Sequence, residues 1–454
     1  MKKLTLVLFA LCATTCLFAQ NITYTFTGNG AWSTASNWNN NAIPPAVLPN
    51  GSQITINPTA GGQCVLSSLE TVAPGASFTV QQNAQLIINN NLVLEPGSNP
   101  LPGTVDKTDT IKVMAYNILN YGDGCQGSLA TLNGYFKTIV QYVQPDLMSC
   151  EKMTEFTISS TSASSNYAIS IRDSVLNTLY PNQWAFCTPT NLAGSTKAAD
   201  GKMSVLFYNK TKFTFVQTET LYDSISDFDM YKLYYNDINL SITHDTTFLY
   251  VIGNHTQSGS SSKDRDFQVT TYMKKLRAKF LYFPNLINMG DFNTNDSYEP
   301  GYDSIVSNTN PATKMSDPTF FPDLINKYPA DWTDSAQNYA KYLTTSTRES
   351  SSKPNSCGTN GGAKSWYDHI FISPWLINDS NYVSYIPNSY LTIGNDGNRL
   401  GVDINSTSPV VNTSAPTAVI NAEWQMSNKY PITIKLLIKA NRTGASPVDP
   451  AERN

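Results

Sequence analysis

Four strand-like runs in this chain each end in a polar residue able to act on a phosphate. Ile111 to Asn117 delivers Asn117, and Pro145 to Glu151 delivers Glu151. Phe248 to Gly253 leads into Asn254 and His255, and Asn285 to Met289 leads into Gly290-Asp291-Phe292-Asn293. Side chains of an extended strand repeat every second residue, so Asp291 and Asn293 are expected on one side, where the pair can hold a water or a phosphate oxygen. Gly-Asp and Asp-x-Asn also make ordinary turns. One acid at a strand end is commonplace, whereas four such ends in one region describe a shared rim.

The residue types point to a hard cation. Oxygen ligands supplied by one or two carboxylates suit Mg²⁺ (or Mn²⁺), which keeps most of its waters and takes other oxygens from substrate phosphate. Zinc is disfavoured, because the chain has three histidines, at positions 244, 255 and 369, and no close Cys/His spacing for a nitrogen or sulfur site.

The elements that must position this rim are legible from periodicity. Leu129, Leu132, Phe136, Ile139, Val140 and Val143 follow helical spacing, as do Val269, Met273, Leu276 and Phe280. Strand-like runs surround them at Ile111–Tyr116, Leu147–Cys150, Val205–Tyr208, Phe248–Ile252, Leu286–Met289, Ile370–Ile372 and Ile432–Ile438. Mixed strands and helices predict an α/β layered domain over residues 108–439.

Ahead of it, residues 21–95 are nearly uncharged, with short apolar pulses separated by Asn, Gly and Pro, which predicts an all-β domain. Trp32 and Trp38 could stack on a sugar or cap a small β core, and the second reading is preferred. The Asn89-Asn90-Asn91 step resembles the corner of a β-solenoid. Residues 96–107, rich in Pro and Gly, read as a linker, and residues 440–454 as a flexible tail.

Lys2 and Lys3, the apolar run Leu4 to Leu11 and Phe18-Ala19-Gln20 form an expected secretory signal over residues 1–20. Export to an extracellular or periplasmic location follows, and no later run is long enough for a membrane span. Export permits a disulfide, with Cys125 and Cys357 in Gly-rich loops the expected pair and Cys150 a buried thiol. The formal net charge of the 454 residues is −4 at pH 7, with no Lys/Arg cluster. Tight non-specific binding to a long polyanion is therefore not expected, since neutralising phosphates needs a positive surface. A small or locally engaged phosphoester, nucleic acid included, stays open as substrate, and the β domain is expected to contact a surface or polymer.

Read in order, Met114-Ala-Tyr-Asn117-Ile-Leu-Asn, Pro145-Asp146 with Glu151, Gly253-Asn-His255 with Ser258-Gly259 and Asp264-Arg265, Gly290-Asp-Phe-Asn293, and Trp366-Tyr-Asp368-His-Ile-Phe-Ile-Ser373 resemble the endonuclease/exonuclease/phosphatase superfamily, the DNase I-like fold. The resemblance covers about residues 108–438. It implies a four-layered α/β sandwich and Mg²⁺-dependent phosphodiester hydrolysis. It further implies that Glu151 ligates the metal with Asn117 beside it, that Asp291 orients the attacking water, and that Asn293 holds a phosphoryl oxygen. His255, with Asn254 before it, would contact the scissile phosphate, and Asp368 would orient a later histidine. His369, next to Asp368 on the same strand, faces the other side and is expected to be structural.

That later histidine is missing. Met426-Ser427-Asn428-Lys429-Tyr430-Pro431-Ile432 places Asn428 where the family has Asp and Lys429 where it has the catalytic His. An exposed ammonium stays charged near neutrality and binds phosphate without exchanging a proton. Two functions are therefore carried forward: a secreted phosphodiesterase or nuclease weakened at this dyad, with Lys429 as a substrate contact held against Asp368, and a non-catalytic secreted protein that keeps the fold for binding or attachment.

Overall fold

The structure, a computed structural model, describes residues 22–49, 52–73, 76–89, 92–94, 101–190, 201–223, 227–259, 261–318, 332, 336–350 and 357–443. The expected signal at 1–20, linker residues 96–100 and tail residues 444–454 lie outside the described residues. The chain divides into two compact units, Met1–Pro102 and Gly103–Asn454.

Among the described residues the first unit has nine short strands: β1 (Thr23–Phe26), β2 (Gly30–Ala31), β3 (Val47–Leu48), β4 (Gln53–Ile56), β5 (Gln63–Leu66), β6 (Glu70–Val72), β7 (Ser77–Val80), β8 (Gln85–Ile88) and β9 (Leu92–Leu94). They stack as three parallel sheets, β1-β4-β7, β2-β5-β8 and β3-β6-β9. Each pass of the chain lays one strand on each sheet, which is the winding of a three-sided solenoid. Alternation turns Tyr24, Phe26, Ile54, Ile56, Cys64 and Leu66 inward to one core. Trp32 and Trp38 belong to that core, each 2% exposed and packed edge-to-face at 4.7 Å. Neither ring is available to stack on a sugar.

The second unit has four layers. One sheet runs β12 (Trp184–Phe186), β13 (Lys202–Asn209), β11 (Leu147–Thr154), β10 (Thr108–Tyr121), β21 (Ile432–Lys439) and β19 (Val383–Tyr385), with β20 (Leu391–Thr392) also pairing β21. The other runs β14 (Phe213–Asp223), β15 (Asp227–Tyr235), β16 (Phe248–His255), β17 (Leu286–Asp291) and β18 (Asp368–Ile372). Strands buried on both faces are continuously apolar, and here Ile111, Val113, Leu147, Val251, Ile287, Ile370 and Ile434 pack between the two sheets. The outer face of the first sheet is covered by the helix Leu129–Val143, through Leu132, Phe136, Ile139 and Val140. The outer face of the second is covered by the helix Lys263–Lys279, through Val269, Tyr272, Met273 and Leu276. This is the expected α/β sandwich of four layers.

Three local readings change. Val105 donates to Asn239 Oδ1 at 2.7 Å, so part of the predicted linker is held by the second unit. Ala440 and Asn441, assigned to a flexible tail, are 5% and 1% exposed, and Asn441 N donates to Asp237 Oδ2 at 2.6 Å. The hairpin β14–β15 was not expected, because its Thr, Tyr and Asp residues dilute the alternation. Cys125 and Cys357 form a disulfide with Cα atoms 6.0 Å apart, while Cys64, Cys150 and Cys187 are buried thiols. Among the described residues no helix is long and apolar enough to cross a membrane.

Candidate functional site

Two strand registers assemble the site. In the first sheet β10 and β11 run parallel with Asn117 opposite Glu151. In the second, β16 and β17 run parallel with His255 opposite Asp291, and β17 meets β18 antiparallel with Asp291 opposite Asp368. Stacking the sheets brings one row onto the other, and Asn117 Nδ2 donates to Asp291 Oδ2 at 2.8 Å. Gly290 allows the close pairing: its φ is +136°, and a Cβ there would lie 2.1 Å from the Asn254 carbonyl oxygen.

Asp291 and Asn293 do meet, though not by strand alternation. β17 ends at Asp291. Asn293 takes φ +47°, and its N–H donates to Asp291 Oδ1 at 3.0 Å, an Asx turn. Its Nδ2 donates one hydrogen to Thr256 O at 2.9 Å. The turn reading and the site reading of this run are therefore both true.

Lys429 is buried, not exposed, at 4%. Ser427 anchors its segment, donating through Oγ to Asn117 O at 2.7 Å and accepting from Lys429 N at 3.1 Å. The ammonium lies 2.9 Å from Asp291 Oδ2 and 3.6 Å from Asp368 Oδ2, over the Tyr367 ring at 4.6 Å from its centroid. The closer partner is thus Asp291 and not the expected Asp368. Two carboxylates directly opposite in an antiparallel pair repel, and Lys429 is the cation between them.

The electrostatics follow. Burial favours the neutral acid at Asp291, but Lys429, His255 and Asn117 outweigh it and hold the carboxyl below its usual value. Asp368 is pushed up to about 8 by burial, with Asp291 adding to burial and Lys429 opposing it. Burial would lower Lys429, yet the two carboxylates raise it above the usual lysine value, so it stays an ammonium.

Glu151 is fully buried, and among the described residues neither carboxylate oxygen has a hydrogen bond of regular geometry, although Ser149 lies near enough to act on it. Burial pushes its pKa well up, with Asp368 and Asp291 adding to it and Ser149 opposing. A buried carboxylate with two orphan oxygens is matched by a hard cation. Asn117 Oδ1 accepts Leu119 N at 2.9 Å, which leaves its second lone pair. Among the described residues no three His, Cys, Asp or Glu side chains form a metal cage.

One expected residue stands apart. Asn254 was expected at the substrate, but it faces away from His255 by strand parity and donates through Nδ2 to Asn288 Oδ1, which links onward to Tyr272 OH at 2.9 Å. Asn428 turns its Nδ2 to Thr359 Oγ1 at 2.5 Å. His369 is structural: Nδ1 lies 2.8 Å from Asp317 Oδ2 and Nε2 3.0 Å from Trp366 O, within a cluster of aromatic rings. Sequence reasoning missed Tyr367 and Thr344, whose Oγ1 accepts Asp368 N at 3.0 Å. It also missed Lys152 and Lys202, which line a small pocket with His255. Lys152 and Tyr367 carried a signal, their places beside Glu151 and Asp368.

No family model matches this chain, and no curated protein matches it. Among solved structures it is similar to D. rerio TDP2 complexed with single-strand DNA product, at 12% identity and TM-score 0.43, covering 72% of this chain and 98% of that one. It is similar to the human Nocturnin catalytic domain with bound sulfate, at 12% identity and TM-score 0.42, covering 73% and 97%. It is also similar to a mannosyl-6-phosphatase of Bacteroides thetaiotaomicron, at 18% identity and TM-score 0.39, covering 72% and 99%. At such identities and scores no activity passes from those proteins to this chain.

Proposed function

We propose that this protein is a secreted, Mg²⁺-dependent phosphodiester hydrolase of the endonuclease/exonuclease/phosphatase kind, slowed at its terminal dyad. The observation that carries the reading is Glu151, a fully buried carboxylate whose two oxygens have no hydrogen bond of regular geometry among the described residues, on the strand beside Asn117. Those two residues would hold the cation. Bound there, Mg²⁺ would offset the negative charge that develops on the phosphoryl oxygens.

The other residues have separate tasks. Asp291, kept ionised by Lys429 and fixed by Asn117 and Asn293 N, accepts a hydrogen from the attacking water and aims it at phosphorus. The remaining amide hydrogen of Asn293 and the imidazole of His255 donate to phosphoryl oxygens, stabilising charge where it grows. Lys429 adds a fixed positive charge and moves no proton. Asp368 holds Lys429 in place from the far side.

A second reading is favoured by one contact. The 2.9 Å ion pair of Lys429 with Asp291 occupies an oxygen that the water needs, which suits a protein that binds without turnover, its β unit attaching it to a surface or polymer. The deciding assay follows hydrolysis of bis(p-nitrophenyl) phosphate and of DNA with Mg²⁺ by the native chain, by Glu151→Ala and by Asn428→Asp/Lys429→His. Loss of a positioned acid–base group typically costs about 10²- to 10⁴-fold, so the native chain should turn over slowly, the double variant faster, and Glu151→Ala not at all. A silent native chain alongside an active double variant would establish the second reading.

A further inference from the structure

Toward the end of the first sheet away from the candidate site lies a pocket of about 440 Å³, with Lys112, Asp146, Tyr180, Trp184, Lys212 and Lys435 among its walls. The strand pairing that builds it sets two like charges together. β10 and β21 run antiparallel with Lys112 directly opposite Lys435, and like charges so placed repel. Lys112 Nζ donates to Val143 O at the end of the helix Leu129–Val143, which takes one of its three hydrogens. Lys435 is exposed, and its ammonium has no hydrogen-bond or ion-pair partner among the described residues. Lys212 Nζ is shared by Asp109 Oδ1 at 3.1 Å, Asp146 Oδ1 at 3.2 Å and Thr110 O at 3.1 Å. The other oxygen of Asp146 accepts Lys112 N at 2.9 Å.

Both carboxylates near these lysines are thereby counted. Three ammonium groups stand against Asp109 and Asp146, which leaves one positive charge over, carried by the opposed pair Lys112 and Lys435. Burial holds the Lys112 pKa below the usual lysine value, with Lys435 adding to burial and Asp146 opposing it. An anion between the two lysines relieves that repulsion, as Lys429 does with opposite sign between Asp291 and Asp368. The lining also selects the shape of the guest. No arginine lines the pocket, so the planar fork that matches a carboxylate is missing, whereas separate ammonium points and hydroxyl donors suit the several oxygens of a phosphoryl group. A volume of about 440 Å³ is within the range of small-molecule sites.

We propose that this pocket binds a small tetrahedral oxyanion, the phosphate of a monoester or the free ion, at a place separate from the hydrolytic centre. The separation follows from β10. Lys112 shares its strand parity with Met114 and Tyr116, which face the helix layer, whereas Asn117 shares that of Val113 and Ala115, which face the other sheet. Five residues of strand put the two about 16 Å apart, on opposite faces. The anion site therefore does not depend on the hydrolase reading.

Titration calorimetry of the full chain with inorganic phosphate, a chelator being present to remove any metal contribution, tests the site. Lys435→Gln changes an exposed side chain and is expected to weaken binding about tenfold, the scale of one charge-assisted hydrogen bond. Lys435→Glu should abolish binding, and Lys435→Arg, which keeps the charge, should retain it. His255→Ala, at the hydrolytic centre, should leave the affinity unchanged. Native affinity in Lys435→Glu, no binding by the native chain, or a loss in His255→Ala in place of Lys435→Gln overturns the site. Acetate, planar and singly charged, is the second probe, and binding as tight as that of phosphate overturns the tetrahedral class. Phenyl phosphate separates the two sources: tighter binding than phosphate assigns the pocket to an ester, equal or weaker binding to the free ion, and either result upholds the site.

Discussion

Lys429 holds two buried acids together. It sits 2.9 Å from Asp291 and 3.6 Å from Asp368, and those acids face each other across β17 and β18. Removing one partner of a buried charge network leaves uncompensated charge, at a cost of about 3–5 kcal/mol. Lys429→Met should therefore lower the urea midpoint strongly, and Lys429→Met/Asp291→Asn should recover part of the loss. A Lys429→Met protein as stable as the native chain would show that the ion pair contributes nothing. The departure at this position was readable in the sequence, because Ser427 and Tyr430-Pro431-Ile432 hold the register. Its burial and its nearer partner were not, since both depend on how β21 lies beside β10.

Among the elements, β6 of the solenoid carries a buried titratable group, Glu70. Glu70 is 1% exposed, its Oε1 has no hydrogen-bond partner among the described residues, and burial pushes its pKa from the ordinary 4.5 up to about 7. Between those values the folded chain keeps a proton that the unfolded chain has released. Stability contributed by the protonated group is therefore full below the ordinary value and falls as pH rises through the folded one. Unfolding of the native chain and of Glu70→Gln should differ little at about pH 5 and clearly at about pH 8, with the variant more stable at the higher pH. An equal difference at both would remove Glu70 as the cause. The solenoid itself was only half legible: alternation announces strands, but three parallel sheets arise from stacking one coil on the next. The hairpin β14–β15 was hidden because Thr and Tyr serve equally on a wet or a dry face.

Across the whole molecule, every residue of the candidate site, Asn117, Glu151, His255, Asp291, Asn293, Asp368 and Lys429, lies in the unit Gly103–Asn454. The apolar layers that position them lie in it too. Residues 103–454 expressed alone should therefore unfold cooperatively and show the kcat/KM of the full chain on bis(p-nitrophenyl) phosphate. Loss of folding or of rate in that fragment would give the solenoid a role in the site.

Taken alone, the sequence determined the class of the helices Leu129–Val143 and Lys263–Lys279 and of the strands that carry the site, and the order in which polar residues leave those strands, because the period of apolar side chains is a local property of the chain. It also named Cys125 and Cys357 as a pair and Asn428-Lys429 as the departure. Tertiary structure decided which of those polar residues meet. It stacked Asn117 on Asp291, turned Asn254 into the helix layer, buried Lys429 between two acids and bulged Lys152 toward His255. Those outcomes depend on register, on layer stacking and on one irregular residue, and each joins positions too far apart in the chain for periodicity to relate them.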